Sequence, residues 1–318
     1  MDSDGARAFG VSVLICSRNG FSRGFLVEAI ESVRRQTTPA HEVVLVDDGS
    51  TDQTADEIEE RFPDVRVLRQ PPAGLATARN RGIAAATGRW IAFLDDDDVW
   101  HAEKLERQVA QARATGDHGS MLFCARIADI VADGAIQSYA MPIHLASWPA
   151  CLLGWPAIAP SGTLISRDLL ERIGPFDETL AYGSAYQYWV RCLAAGIRPQ
   201  FSDIVLMYRR LHPGQMTRDS QLLANALISD DIVAPFVRDV APSLAKRIAW
   251  ARILLAIRGL LRRGARSAVK DYWRNTPFKS YRWSSSALGM VLLDSAANLS
   301  PQKHRAALRA AVVRSLRR

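Results

Sequence analysis

The chain has 318 residues, 48% of them hydrophobic and 23% charged, with a formal net charge of +7. That composition can bury a sizeable core and excludes a disordered or low-complexity chain, so one main domain with an appendage is expected. Cys16, Cys124, Cys151 and Cys192 are too dispersed for a disulfide framework or a structural zinc site, which excludes a disulfide-stapled secreted fold and fits a reducing cytoplasm.

Residues 11–16 (VSVLIC) and 42–47 (EVVLVD) are short, β-branched and nearly all apolar, as strands buried on both faces of a parallel sheet are. Between them, Ser22 precedes a segment with Phe25, Leu26, Ala29, Ile30 and Val33 on one helical face. After the second strand comes DDGSTDQTADEIEERF, where Ser50 or Thr51 is placed to cap a helix with an acidic first turn. Residues 65–68 read as a third, weaker strand. Residues 74–87 (GLATARNRGIAAAT) read as an Ala-rich helix closing at Gly88. The alternation of strand and helix over the first hundred residues predicts a βαβ series. In such sheets ligands bind beyond the carboxyl ends of the strands, where Cys16, Asp47, Asp48, Asp95, Asp96 and Asp97 fall.

The most informative stretch follows, RWIAFLDDDDVW at 89–100. An apolar strand empties into four consecutive carboxylates, an arrangement that is costly unless a cation sits beside it. On an extended backbone Asp95 and Asp97 face one way and Asp96 and Asp98 the other. Two carboxylates on one side can hold a hard divalent ion, which commonly also takes phosphate oxygens. Downstream, 101–115 and 166–173 read as helices and 121–127 as a strand.

In order, VSVLICSRNG, EVVLVDDGSTDQT, AGLATARNRGIAAATGRWIAFLDDDDVW, SGTLISRDLLERIGPFDE and YRRLHPGQMT resemble the nucleotide-sugar glycosyltransferases of family 2, inverting enzymes of the GT-A fold. The resemblance runs from about residue 11 to about residue 217. It implies an α/β, Rossmann-like GT-A catalytic domain over 1–218 with a mostly parallel central sheet, followed by a basic, mainly helical region over 219–318. The implied function is metal-dependent transfer of a sugar from a nucleotide-sugar, a UDP-sugar, to a glycan, lipid-linked or small-molecule acceptor, as in cell-envelope polysaccharide synthesis. By the same resemblance Cys16, Ser17 and Arg18 line the nucleotide, and Asp47 or Asp48 accepts a hydrogen bond from uracil. Arg79 sits near the nucleotide. Asp95, Asp96 and Asp97 span the DXD motif, with Asp95 and Asp97 reaching ribose and metal and Asp97 the firmer ligand. His212 is the matching histidine near the diphosphate or metal, and imidazole favours Mn²⁺ over Mg²⁺. Read from the residues alone, Arg79 is a helix-surface charge, His212 a loop histidine, and Asp48 the holder of its own turn.

One departure stands out. Where inverting members carry an acidic pair, this chain has Tyr182-Gly183-Ser184-Ala185-Tyr186-Gln187-Tyr188-Trp189. Ser184 occupies the Glu position and Ala185 that of the Asp which serves as general base. Alanine takes no proton, and neither Ser184 nor Gln187 ionises usefully near neutrality. General-base assistance is typically worth ~10²–10⁴-fold. Three explanations stand: an impaired or inactive nucleotide-sugar-binding protein, a replacement carboxylate among Asp177, Glu178 and Asp203, or a reaction needing no protein base, such as retaining transfer or donor hydrolysis. The ordinary reading of Asp177 and Glu178 is as turn residues. A nucleotidyltransferase would open with a Gly- and Arg-rich loop, of which SRNGFSRG is a poor version.

The remaining signals are compositional. Residues 140–162 are rich in proline and carry Trp148 and Trp155, read as acceptor-side loops in which these rings stack on a sugar or pack in the core. From residue 243 onward there are seventeen Lys or Arg against two Asp, which leaves the preceding residues net acidic. Within 243–266 and 303–318 apolar residues recur at helical spacing between arginines. These are packed helices with solvated basic faces, or helices lying on an anionic membrane with Trp250, Trp273, Tyr281 and Trp283 at the interface. An anionic polymer is a third partner; nucleic acid is not expected, since no binding module is present. The acidic start lacks the apolar stretch of a leader, and no run reaches the ~20 apolar residues of a membrane span. The expected location is the cytoplasm, at the inner face of the cell membrane.

Overall fold

The computed structural model describes residues 10–115, 121–130, 134–138, 158–180 and 183–212. All belong to the first of the two units into which the chain divides, Met1–Ile253 and Leu254–Arg318. The 218/219 boundary, the basic tail, Cys151, Trp148, Trp155 and Tyr182 lie outside the described residues.

The first four strands are β1 (Val11–Ser17), β2 (Glu42–Asp48), β3 (Val65–Gln70) and β4 (Trp90–Asp95). They are parallel, in the order β3-β2-β1-β4. The intervening helices are α1 (Gly20–Arg23), α2 (Leu26–Arg34), α3 (Thr54–Arg61) and α4 (Leu75–Ala85). There follow β5 (Val99–Trp100), α5 (Lys104–Ala114), β6 (Leu122–Ile130), β7 (Ile136–Ser138) and a 3-10 turn, Pro160–Gly162. β8 (Thr163–Ser166), α6 (Arg167–Ile173), α7 (Ser184–Ala194) and β9 (Gln200–Arg210) complete the series. β8 runs antiparallel to both β4 and β6, β9 is parallel to β6, and β5 is antiparallel to β9. One mixed sheet results, parallel in its first half and reversed at β8.

Strand periodicity divides the core between the two faces. Val11, Val13 and Ile15 pack with Leu26, Ala29, Ile30 and Val33 of α2 and with Leu105, Val109 and Ala112 of α5. Leu14 and Cys16 face Ala76 and Ala78 of α4 and an aromatic group of Phe93, Phe176, Tyr188 and Trp189. A Cβ on Gly82 would fall 2.1 Å from Leu14 Cδ1, so α4 sits on the sheet at glycine distance.

Several local expectations are corrected. Phe25, not Ser22, precedes α2 as its N-cap, without a side-chain bond. Ser22 lies in α1, its amide donating to Asp52 Oδ2 at 2.8 Å. Neither Ser50 nor Thr51 caps α3, which begins after Gln53, because both residues bond Asn19 across the neighbouring loop. β3 runs two residues past its expected end, its added Arg69 and Gln70 pairing with Asp47 and Asp48. Extended backbone ends at Asp95. The Asp98 amide donates to the Asp95 carbonyl at 3.1 Å, so a tight turn replaces the alternation of the four aspartates.

Candidate functional site

Parallel register brings Ser17 beside Asp47, Cys16 beside Asp95 and Asp48 beside Gln70, so the candidate residues of β1, β2 and β4 share one sheet edge. The loops leaving β1 and β2 are tied together. Asn19, in the left-handed region at φ 54, donates its amide to Ser50 Oγ at 2.8 Å and accepts the Thr51 amide on Oδ1 at 2.8 Å. Asp47 holds its own turn, accepting from the Ser50 amide and hydroxyl. Asp48 instead reaches the loop before α4, accepting from Gln70 Nε2 at 2.7 Å and from the amides of Ala73 and Gly74 at 2.8 and 2.9 Å. The turn-holding bonds thus belong to Asp47 rather than Asp48. A Cβ on Gly20 would meet Ser17 Oγ at 2.1 Å and Asp96 Oδ2 at 3.0 Å, which fixes glycine there.

The four aspartates of the acidic turn part company. Asp96 is buried against Ser17 Oγ and the Arg23 guanidinium. Asp98 is buried too, accepting from Ser161 Oγ at 2.5 Å and from the Arg210 amide at 3.1 Å. Asp95 and Asp97 keep accessible side chains. Asp95 Oδ1 accepts from Arg79 at 2.9 Å, and Asp97 Oδ2 lies 2.9 Å from His212 Nε2. Arg210 Nε donates to the Asp97 carbonyl at 3.2 Å while its guanidinium pairs with Glu28. Phe25 packs against the His212 ring at 4.9 Å and under the Arg210 guanidinium at 4.7 Å.

Burial and crowding of like charge set the protonation chemistry. Burial pushes Asp96 up to about 7 against the pull of Arg23. Burial also raises Asp98 well above the usual carboxylate range, with Asp97 and Asp95 adding to it. Although its side chain is 35% exposed, Asp95 is raised too, by desolvation among the residues packed around it, in spite of Arg79. Cys16, buried at the end of β1, is pushed up to about 12 and is a neutral thiol. A cation bound at the open side of the turn would favour the charged forms of these crowded carboxyls.

A second layer connects this turn to α7. The Arg79 guanidinium lies over Phe176 at 5.6 Å, and Phe176 stacks on Tyr188 at 4.2 Å. Asn80 clamps the same segment, accepting the Phe176 amide at 2.8 Å and donating to the Phe176 carbonyl at 2.9 Å and Glu178 Oε1 at 2.7 Å. Ala185 is partly buried in the first turn of α7, a turn with no acidic residue. Asp177 is engaged by the Thr179 amide and hydroxyl, which hold its carboxyl below the usual range. Asp203 lies seven residues before Arg210 on β9, on the order of 20 Å away at ~3.3 Å per residue. Arg18 is exposed beside the first loop.

The structure thus gathers Ser17, Asp47, Asp48, Arg79, Asp95, Asp96, Asp97 and His212 at one edge, and leaves Asp177, Glu178 and Asp203 tied up or distant. Sequence reasoning missed Asn19, Asn80, Ser161, Arg23 and Arg210. Only Asn19 had a local signal, an Asn before Gly in a polar loop.

Among the described residues no group of three or more His, Cys, Asp or Glu forms a ready-made metal cage. The donors present nevertheless suit a divalent ion that keeps water and phosphate in its shell: Asp97 and His212 already meet, and a cation relieves the mutual repulsion of the crowded carboxyls.

The profile of Glycosyl transferase family 2 matches residues 12–174. A glycosyltransferase of Nostoc sp., itself uncharacterized, is 35% identical over 52% of the chain and 54% of its own length, so the chain spans about half of that relative. WfaP of Escherichia coli, named a UDP-Glc:alpha-D-GlcNAc-diphosphoundecaprenol beta-1,3-glucosyltransferase, is 28% identical over 65% of the chain and 79% of its own length. The crystal structure of S. aureus TarS 1–349 with UDP-GlcNAc has the same fold at 18% identity, with a TM-score of 0.54 over 80% of this chain and 81% of that one.

Proposed function

The chain belongs to glycosyl transferase family 2, and from that premise we propose that it moves a sugar from a UDP-sugar to a glycan or lipid-linked acceptor, with Mn²⁺ or Mg²⁺ at its acidic turn. The observation that carries the reading is the division of the four aspartates: Asp96 and Asp98 are closed off by protein donors, while Asp95 and Asp97 stay open beside Arg79 and His212.

Each part of the edge has a task in this reading. The zipped loops of Asn19 and Ser50 shape the nucleoside pocket, with Ser17 and Asp47 at its floor. Asp95, oriented by Arg79, takes the ribose side. Asp97 and His212 would hold the ion, which neutralises charge developing on the diphosphate as the bond to the sugar breaks. Arg79 keeps its guanidinium plane on Phe176 and so presents a fixed cation. The UDP-bound TarS structures and the donor in WfaP's name support UDP; the diphosphoundecaprenol in that name supports a lipid-linked acceptor.

No helix among the described residues is long and apolar enough to cross a membrane. The membrane contact we propose rests on the basic segment beyond residue 242, and with it a site of action at the cytoplasmic face.

A second reading has its own support. The first turn of α7 has no acid, and the nearest carboxylates are engaged elsewhere. The chain would then bind nucleotide-sugar and turn over slowly or not at all.

Calorimetry with UDP, with and without MnCl₂, tests the shared premise, and product detection with UDP-sugars separates the readings. Binding is expected to depend on Mn²⁺ and to weaken at least tenfold in Asp97→Asn. Equal UDP affinity with and without metal, unaltered in the variant, overturns the metal assignment.

A further inference from the structure

The segment after the acidic turn makes a set of contacts that donor binding does not explain by itself. Three successive carbonyls of the 3-10 turn and the start of β8 are each taken by a side chain from 100–108. Trp100 Nε1 donates to the Ser161 carbonyl at 2.6 Å, Gln108 Nε2 to the Gly162 carbonyl at 2.9 Å, and Lys104 Nζ to the Thr163 carbonyl at 3.3 Å. Lys104 and Gln108 are fully buried and bonded to each other at 2.8 Å, one turn apart on α5. The Lys104 ammonium position lies over the Trp100 ring at 3.9 Å. Among the described residues no carboxylate pairs with Lys104, and burial holds its amine well below the usual lysine range, so a stability argument alone is a poor account of it.

What the clamp holds is Ser161, itself fully buried. Its hydroxyl accepts the Asp95 amide at 3.0 Å and donates to Asp98 Oδ2 at 2.5 Å. One oxygen therefore spans the first and last aspartates of the acidic turn, across the Asp95 carbonyl to Asp98 amide bond that closes it.

We propose that Ser161 is the positioning residue of the acidic turn, tying Asp95 to Asp98 and so fixing the loop that presents Asp97 between them, and that Trp100, Lys104 and Gln108 form the clamp that fixes Ser161. The inference rests on the donor-binding reading of that turn. Ser161 touches neither nucleotide nor ion in this scheme; it acts through Asp95 and Asp98. Groups that orient metal ligands in this way commonly change affinity or activity 10–100-fold when removed.

The test is calorimetry of UDP in the presence of MnCl₂, paired with thermal unfolding, on the full chain. Ser161→Ala is expected to weaken UDP binding about tenfold while remaining folded. Trp100→Phe, which removes one donor and keeps the ring, is expected to weaken it less, and it serves if Ser161→Ala does not fold. Val65→Ala, a buried truncation on β3, supplies a comparison: it lowers the melting temperature and leaves UDP affinity within twofold. Wild-type affinity in Ser161→Ala, or in Trp100→Phe where only that variant folds, overturns the inference alone, as does an equal loss in Val65→Ala. A wild-type chain that binds no UDP overturns the functional reading and this inference with it.

Discussion

At the scale of single residues, Ala185 is the position where chemistry is most sharply at issue. It stands in the first turn of α7, a helix whose N-terminal end favours a carboxylate electrostatically. It packs against the aromatic group that carries Phe176 and Tyr188, and through Phe176 it is connected to Arg79 and Asp95. Ala185→Asp is therefore expected to keep UDP affinity within a few-fold and to raise sugar transfer by ~10²–10³-fold, the usual scale of general-base assistance. Initial rates of product formation at saturating UDP-sugar measure it. A fully active original chain with no gain in the variant would show that the base lies elsewhere.

At the scale of elements, the seat of α4 on β1 decides a contest between propensity and packing. Gly82→Ala gains up to ~1 kcal/mol of helix propensity. The new Cβ, however, lands 2.1, 2.8 and 3.0 Å from three atoms of Leu14, whose side chain is buried in the core. Overpacking of this sort costs ~1–3 kcal/mol. Packing should win, and an unfolding free energy lowered by ~1 kcal/mol is expected, read as a lower denaturant midpoint with an unchanged slope. An unaltered or raised midpoint would mean that the sheet yields. Elements such as these were readable because their signals are local. The apolar runs of β1, β2 and β4, the Ala-rich α4 and the acidic turn all announced themselves within a dozen residues. The reversal at β8 and the strands β5, β8 and β9 did not, since their partners lie tens of residues away, whereas β6 was legible as a strand over 121–127. Ser161 is the sharpest case: nothing near it in sequence marks it, and its meaning comes from Asp95 and Asp98, 66 and 63 residues earlier. The alternation expected for the four aspartates failed because one backbone bond turned the chain at Asp98. The separation of Asp95 and Asp97 from their neighbours is nevertheless present, produced by Ser17, Arg23 and Ser161 instead of by strand geometry.

At the scale of the whole molecule, charge is segregated along the chain. The tail carries net positive charge and the preceding residues are net acidic, and a surface rich in anionic lipid attracts such a basic segment at ~1 kcal/mol per Lys or Arg held near it. The full chain is expected to float with vesicles containing anionic lipid at physiological ionic strength, to stay behind with neutral vesicles, and to be released near 1 M salt, where the screening length falls to ~3 Å. Equal flotation with both vesicle types would remove the electrostatic basis of that contact.

The attachment of Arg210 to the acidic turn also sets a timetable for biosynthesis. Arg23 and Arg79 precede the turn, so Asp96 and Asp95 meet their cations as soon as they emerge. Asp97 and Asp98 do not: Arg210 follows Asp97 by 113 residues. At a translation rate of ~5–20 residues per second that is a wait of roughly 6–23 s. Asp98 meets Ser161 after 63 residues, but Asp97 waits out the whole interval without the contacts that hold it. A product released by premature termination before β9 would leave the ribosome with its donor pocket unfinished.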